Sequence, residues 1–82
     1  MRIQTEIDKM SGARPENQAK LVQGFCTKAL QLARKMKPER LKRFRRLLQI
    51  ELEKLGRAAR AGWAMALDRL NVRLKDIQHQ FA

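Results

Sequence analysis

The chain has 82 residues, with 19 Lys or Arg against 8 Asp or Glu, for a formal net charge of +11. This length allows one domain with a thin core, and a single cysteine, Cys26, excludes an intrachain disulfide and any cysteine-rich metal site. A positive excess of this size attracts nucleic acid, anionic lipid or an acidic protein surface, and opposes folding by self-repulsion.

The first ten residues, MRIQTEIDKM, carry charges throughout and lack the apolar core of a signal peptide. The longest apolar run counting glycine, Ala61 to Leu67, falls far short of a membrane span. A cytoplasmic protein is expected. Tyrosine is absent, β-branched residues are sparse and hairpin-type turn dipeptides are missing. Good helix formers dominate, so residues 1–82 read as a single all-α domain.

Residues 1–10 carry Ile3, Ile7 and Met10 at helical spacing, as a short N-terminal helix or arm. Ser11 to Arg14 reads as a break. Pro15 suits the first turn of a second helix, with Glu16 near the positive end of its dipole. That helix is expected over 15–36, with an apolar face of Leu21, Val22, Phe25, Ala29, Leu32, Ala33 and Met36. Arg34 and Lys35 lie near its C-terminus, where positive charge is favoured. Pro38 disfavours helical geometry at Lys37 and opens the next helix, with Glu39 beside it.

From Leu41 onward, apolar or small residues fall at Leu41, Phe44, Leu48, Leu52, Leu55, Ala59, Trp63, Ala66, Leu70, Leu74, Ile77 and Phe81. These spacings of three, four and four make an eleven-residue repeat, about 3.67 residues per turn. The pattern predicts one continuous basic amphipathic helix over 38–81, roughly 65 Å long at 1.5 Å per residue. The competing reading splits it at Gly56 into a three-helix bundle, since glycine favours the position just past a helix end. Against the split, no Ser, Thr, Asp or Asn follows to cap a new helix. An antiparallel hairpin about Pro38 would set Phe25 near Leu52, and Ile3 or Ile7 near Leu70 and Leu74. Two helices alone bury little, so self-association or docking on a partner is expected.

The charge is concentrated. Residues 34–60 hold eleven basic and three acidic side chains, net +8, and KPERLKRFRR, Lys37 to Arg46, is the densest part. On a wheel with Leu41 at zero, Lys42, Arg43, Arg46, Arg57 and Arg60 fall between about 100° and 200°, opposite the apolar stripe. Arg45 lies at the core edge and Arg40 on the other flank. Guanidinium groups bind phosphate oxygens in a forked geometry and release counterions, so these seven residues are the candidate nucleic-acid contacts. The bland alternative is a solvated helix face.

Ile50 falls in the middle of this strip with Leu47 nearby, as a candidate partner contact beside the ordinary isolated exposed apolar residue. Trp63 reads as a core or interface residue, with base stacking as a minor alternative. Cys26 reads as a packed, inert thiol. His79, the sole histidine, has no second ligand candidate close in sequence.

No catalytic constellation is present: Ser11 is the only serine, and no paired His–carboxylate, glycine-rich phosphate loop or metal motif occurs. Neither enzyme activity nor a cofactor or metal is expected. The sequence points to a small basic helical nucleic-acid-binding protein, or a subunit of a nucleoprotein assembly. It would contact the DNA or RNA backbone without strong sequence readout, since no helix-turn-helix, zinc-finger or RNA-recognition signature occurs. The alternative is a helical protein-interaction module (an adaptor, inhibitor or assembly factor) docking its basic face on an acidic protein. An amphipathic helix on anionic membrane ranks below both, because the apolar stripe has a matching one to pack against.

Overall fold

The computed structural model describes residues 2–80. Five helices follow in order: α1 (Ile3–Gly12), α2 (Pro15–Lys35), α3 (Pro38–Glu53), α4 (Arg57–Ala61) and α5 (Met65–Gln80). Among the described residues there is no strand. Among the described residues no helix is long and apolar enough to cross a membrane.

Both prolines stand at helix starts. Pro15 opens α2 and Pro38 opens α3, each followed by a first-turn glutamate, Glu16 and Glu39. Arg34 and Lys35 occupy the last turn of α2, against the negative end of its dipole. The first break lies later than Ser11: α1 runs through Gly12, and Ala13 and Arg14 are extended. Gln18 of α2 donates from Nε2 to the carbonyl of Met10 at 2.9 Å, a second bond on an acceptor that the Ala13 N–H also reaches at 3.3 Å.

The continuous helix over 38–81 does not form. The greatest extent of the protein is 38 Å, too short for a rod of about 65 Å. Instead α3 ends at Glu53, Leu55 N–H closes a tight turn onto the carbonyl of Leu52 at 3.1 Å, and Gly56 is extended at φ −71°, ψ 166°. Gly56 is thus the N-cap of α4 rather than a left-handed terminator of α3. A second break follows at Gly62, where φ is −109° and ψ −119°. A Cβ there would lie 3.1 Å from the carbonyl oxygen of Ala58. The Ala64 N–H reaches back to Ala59 O at 2.9 Å, and α5 starts at Met65.

These turns reset the phase of the stripe. Leu41, Phe44, Leu48 and Leu52 are buried as the spacing predicts. Beyond the breaks the inward positions are Ala64, Leu67, Leu70 and Leu74, while Ala66 is exposed and Leu55, Ala59, Trp63 and Ile77 are half-buried. On α2 the buried face is Val22, Phe25, Ala29 and Ala33; Leu32 and Met36 are half-buried and Leu21 is exposed. Phe81 lies outside the described residues, as do Met1 and Ala82.

The expected direct hairpin of α2 on α3 is replaced by bridging. α5 packs on both α2 and α3, and the shorter α1 also packs on both. Arg45 of α3 meets Gln78 of α5, and Arg60 of α4 meets Asp68 near the start of α5. Cys26 and Ala66 face each other across α2 and α5. The expected partners of Ile3 and Ile7, Leu70 and Leu74, lie on α5, whereas α1 has α2 and α3 as its principal neighbours. All four main helices contribute to one buried apolar cluster, with no polar or charged residue buried among the described residues.

Candidate functional site

The corner at Pro38 is where charge and relief coincide. Helix α2 ends with Lys35, Lys37 is extended, and α3 starts at Pro38, so Lys35, Lys37, Arg40 and Arg43 converge on one cleft of about 690 Å³. Its remaining lining is Leu32, Met36, Phe44 and Leu47. Among the described residues no carboxylate lines it. Four cationic side chains over an apolar floor make a site for an anion that also offers some nonpolar surface.

Of the seven basic residues singled out from the sequence, Arg40, Lys42, Arg43, Arg46 and Arg57 are exposed. Among the described residues no carboxylate approaches any of these five within 4.0 Å. On α3, Lys42, Arg43 and Arg46 lie on the side opposite Leu41, Phe44, Leu48 and Leu52, and Arg40 lies on the flank that faces the Pro38 corner. Arg57 is separated from them by the turn at Lys54–Gly56 and belongs to a different helix, α4. It is not a further turn of the same strip, contrary to the wheel drawn through 38–81.

Two of the seven are engaged within the protein. Arg45 is half-buried, donates from Nη1 to Gln78 Oε1, and has its Nε enclosed without a partner among the described residues. Arg60 Nη2 lies 3.7 Å from Asp68 Oδ1 in a surface pair. Such an exposed pair contributes at most about 1 kcal/mol.

Leu47 and Ile50 are 48% and 42% exposed, and so form an apolar edge along the same side of α3 as Arg43 and Arg46. Trp63 is half-buried and packs against the core beside a second cleft, between α2 and α5. Cys26 lines that cleft as a free thiol, with Sγ 4.0 Å from the carbonyl oxygen of Ala66. Burial pushes the Cys26 thiol up, against an opposing pull from Arg73. His79 is exposed, and no group of metal-ligating side chains occurs among the described residues.

Lys35 and Lys37 were not among the residues singled out, although Lys37 stands in the densest basic stretch. Their sequence signal was the basic end of α2 just before a proline, which reads as dipole compensation until the corner brings it beside Arg40 and Arg43. Arg69 and Arg73, one helical turn apart on α5, line the second cleft and gave no signal in the charge distribution. Comparisons with protein-family models, curated proteins and solved structures find no match to the chain.

Proposed function

We propose that the protein binds a nucleic acid through its sugar–phosphate backbone, using Arg40, Lys42, Arg43 and Arg46 of α3 with Lys35 and Lys37 at the Pro38 corner. The observation that carries this reading is the absence of carboxylates: among the described residues the cleft at the corner is lined by four cationic side chains and no acidic one. Cations without internal partners interact strongly with phosphate, and each neutralised phosphate releases counterions. Nothing in the arrangement supports base-specific readout: Phe44, the one aromatic among these cations, is buried in the core.

The test is fluorescence anisotropy with a short duplex and a single strand at graded salt. On the duplex, four to five phosphate contacts give a log–log slope of about −3.6 to −4.5, a loss of roughly 150-fold to 500-fold between 50 and 200 mM salt, and on the single strand a shallower slope of about −2.8 to −3.5. Lys42→Glu with Arg43→Glu and Arg46→Glu abolishes binding while the helical circular-dichroism signal survives. An affinity that barely responds to salt, or a folded triple variant that still binds, overturns the reading.

One observation favours a second reading, a protein contact on the same face. Leu47 and Ile50 are exposed one helical turn beyond Arg43 and Arg46, and apolar side chains beside arginine are the usual composition of a binding hot spot. A second copy of the chain is one partner of this kind. Light scattering across a concentration series, with and without nuclease, separates the two readings. Association that survives nuclease and is lost in Leu47→Ser with Ile50→Ser favours protein over nucleic acid.

A further inference from the structure

The cleft between α2 and α5 is independent of the basic corner and has a different chemistry. It measures about 480 Å³, within the usual range for small-molecule sites. Val22, Leu30, Trp63 and Leu70 give it apolar walls. Ala19 on α2 and Ala66 on α5 contribute only methyl groups. Among the described residues no carboxylate lines the cleft, but two guanidinium groups do, those of Arg69 and Arg73.

Neither arginine is neutralised: among the described residues no carboxylate lies within 4.0 Å of Arg69 or Arg73, and the nearest partner of Arg69 is the sulfur of Met65 at 3.6 Å. Arginines one turn apart on a helix project from the same side, so the pair forms a cationic edge along an apolar trough. A bare inorganic anion has no use for the trough, and an uncharged apolar molecule has no use for the edge.

From this pairing we propose that the α2–α5 cleft binds a long-chain carboxylate. The hydrocarbon tail lies against Val22, Trp63 and Leu70, and the carboxylate is held by Arg69 and Arg73. Cys26, a protonated thiol in the wall, acts as a small apolar surface there.

The sole tryptophan, Trp63, reports occupancy directly. Octanoate, decanoate and dodecanoate are titrated into the full chain below their micelle concentrations while Trp63 emission is followed. A saturable blue shift is expected, with Kd falling about fourfold per added methylene. Decanol binds at least tenfold more weakly than decanoate, and decyltrimethylammonium gives no saturable change. Arg69→Gln with Arg73→Gln, both exposed positions whose helicity is checked by circular dichroism, weakens decanoate at least tenfold. Ala66→Leu, which fills the trough from an exposed backbone position, weakens it as well.

Because Arg43 and Arg46 lie on α3, the Lys42→Glu, Arg43→Glu, Arg46→Glu variant retains decanoate binding even though it loses nucleic acid. Failure of either proposal is therefore visible without the other. The carboxylate site is overturned by equal affinity for the cationic amphiphile, by decanoate binding that follows the α3 charges instead of Arg69 and Arg73, or by binding confined to anionic vesicles or absent altogether.

Discussion

Arg45 on α3 and Gln78 on α5, thirty-three positions apart in the chain, are joined by a hydrogen bond from the guanidinium to the side-chain amide oxygen. The bond ties the middle of α3 to the C-terminal end of α5, while Glu53 at the end of α3 shares a cleft with Asp68 near the start of α5, so the two helices run antiparallel. It also assigns Arg45 a role distinct from that of its neighbours Arg43 and Arg46, which have no such partner among the described residues. Charge density alone cannot separate these three residues; the direction each takes from the helix axis does.

Gln78→Leu removes the acceptor and leaves a half-buried guanidinium with one partner fewer. A loss of about 1–3 kcal/mol in urea unfolding is expected. Arg45→Met removes the charge and its enclosed Nε together, and is expected to cost less than Gln78→Leu. Neither change alters the salt slope of nucleic-acid binding by more than a fraction of one contact. A full unit lost in Arg45→Met would return Arg45 to the surface set.

Adjacent leucines on α3 provide a sharp contrast. Leu48 is fully buried and Leu47 is 48% exposed. Leu48→Ala is expected to destabilise by about 2–5 kcal/mol, through lost transfer energy and a residual cavity. That is a large fraction of the total for a chain of this size. Leu47→Ala is expected to change unfolding free energy by no more than about 0.5 kcal/mol. Urea titrations of both variants check this, and equal effects would mean that α3 is rotated from its described orientation.

The two glycines that flank α4 differ in kind. A Cβ on Gly56 meets nothing within 4 Å, and its φ of −71° suits any residue. In Gly56→Ala the gain from a stiffer unfolded chain opposes the loss of a favoured N-cap residue of α4, so a net change within about 1 kcal/mol of zero is expected. A Cβ on Gly62 lies 3.1 Å from the backbone oxygen of Ala58, in the helix that Gly62 ends. Gly62→Ala is expected to destabilise by about 1–3 kcal/mol, because backbone must shift to admit it. Thermal unfolding of the pair decides it.

Cys26 is a slow nucleophile by this structure. Burial raises its pKa above the ordinary thiol value, and Arg73 pulls in the opposite direction. Alkylation by iodoacetamide at pH 7 is expected to be slower than for a free thiol, rising with pH to a higher midpoint. Arg73→Gln removes the lowering influence, so the midpoint moves further up and the rate at pH 8 falls. A faster reaction in that variant would show that access, not ionisation, limits the rate.

Local chemistry was legible. Pro15 and Pro38 announced the starts of α2 and α3, and the spacing of Leu41, Phe44, Leu48 and Leu52 identified the inward side of α3. The path beyond Leu55 was not. Apolar residues recurring at 3, 4 and 4 show that each segment is helical and which way it faces. They do not say that the axis continues, because a chain that turns back can resume the same spacing. The missing Ser, Thr, Asp or Asn after Gly56 argued for continuity, yet none of α1 to α4 has a side-chain cap. In this chain an absent cap carries no information about where a helix begins.

The amino-acid order by itself determined an all-helical chain, two proline-led helices and a basic segment whose charge exceeds any internal means of neutralising it. Propensity and periodicity act over a few residues, and they suffice for that much. Only the tertiary structure decided that α5 folds back between α2 and α3, that Lys35 and Lys37 join Arg40 and Arg43 around one cleft, and that Arg45 and Arg60 turn toward α5. Those outcomes depend on burying apolar surface from segments far apart in the chain. A rod would have left Leu67, Leu70 and Leu74 without the two helices that now cover them.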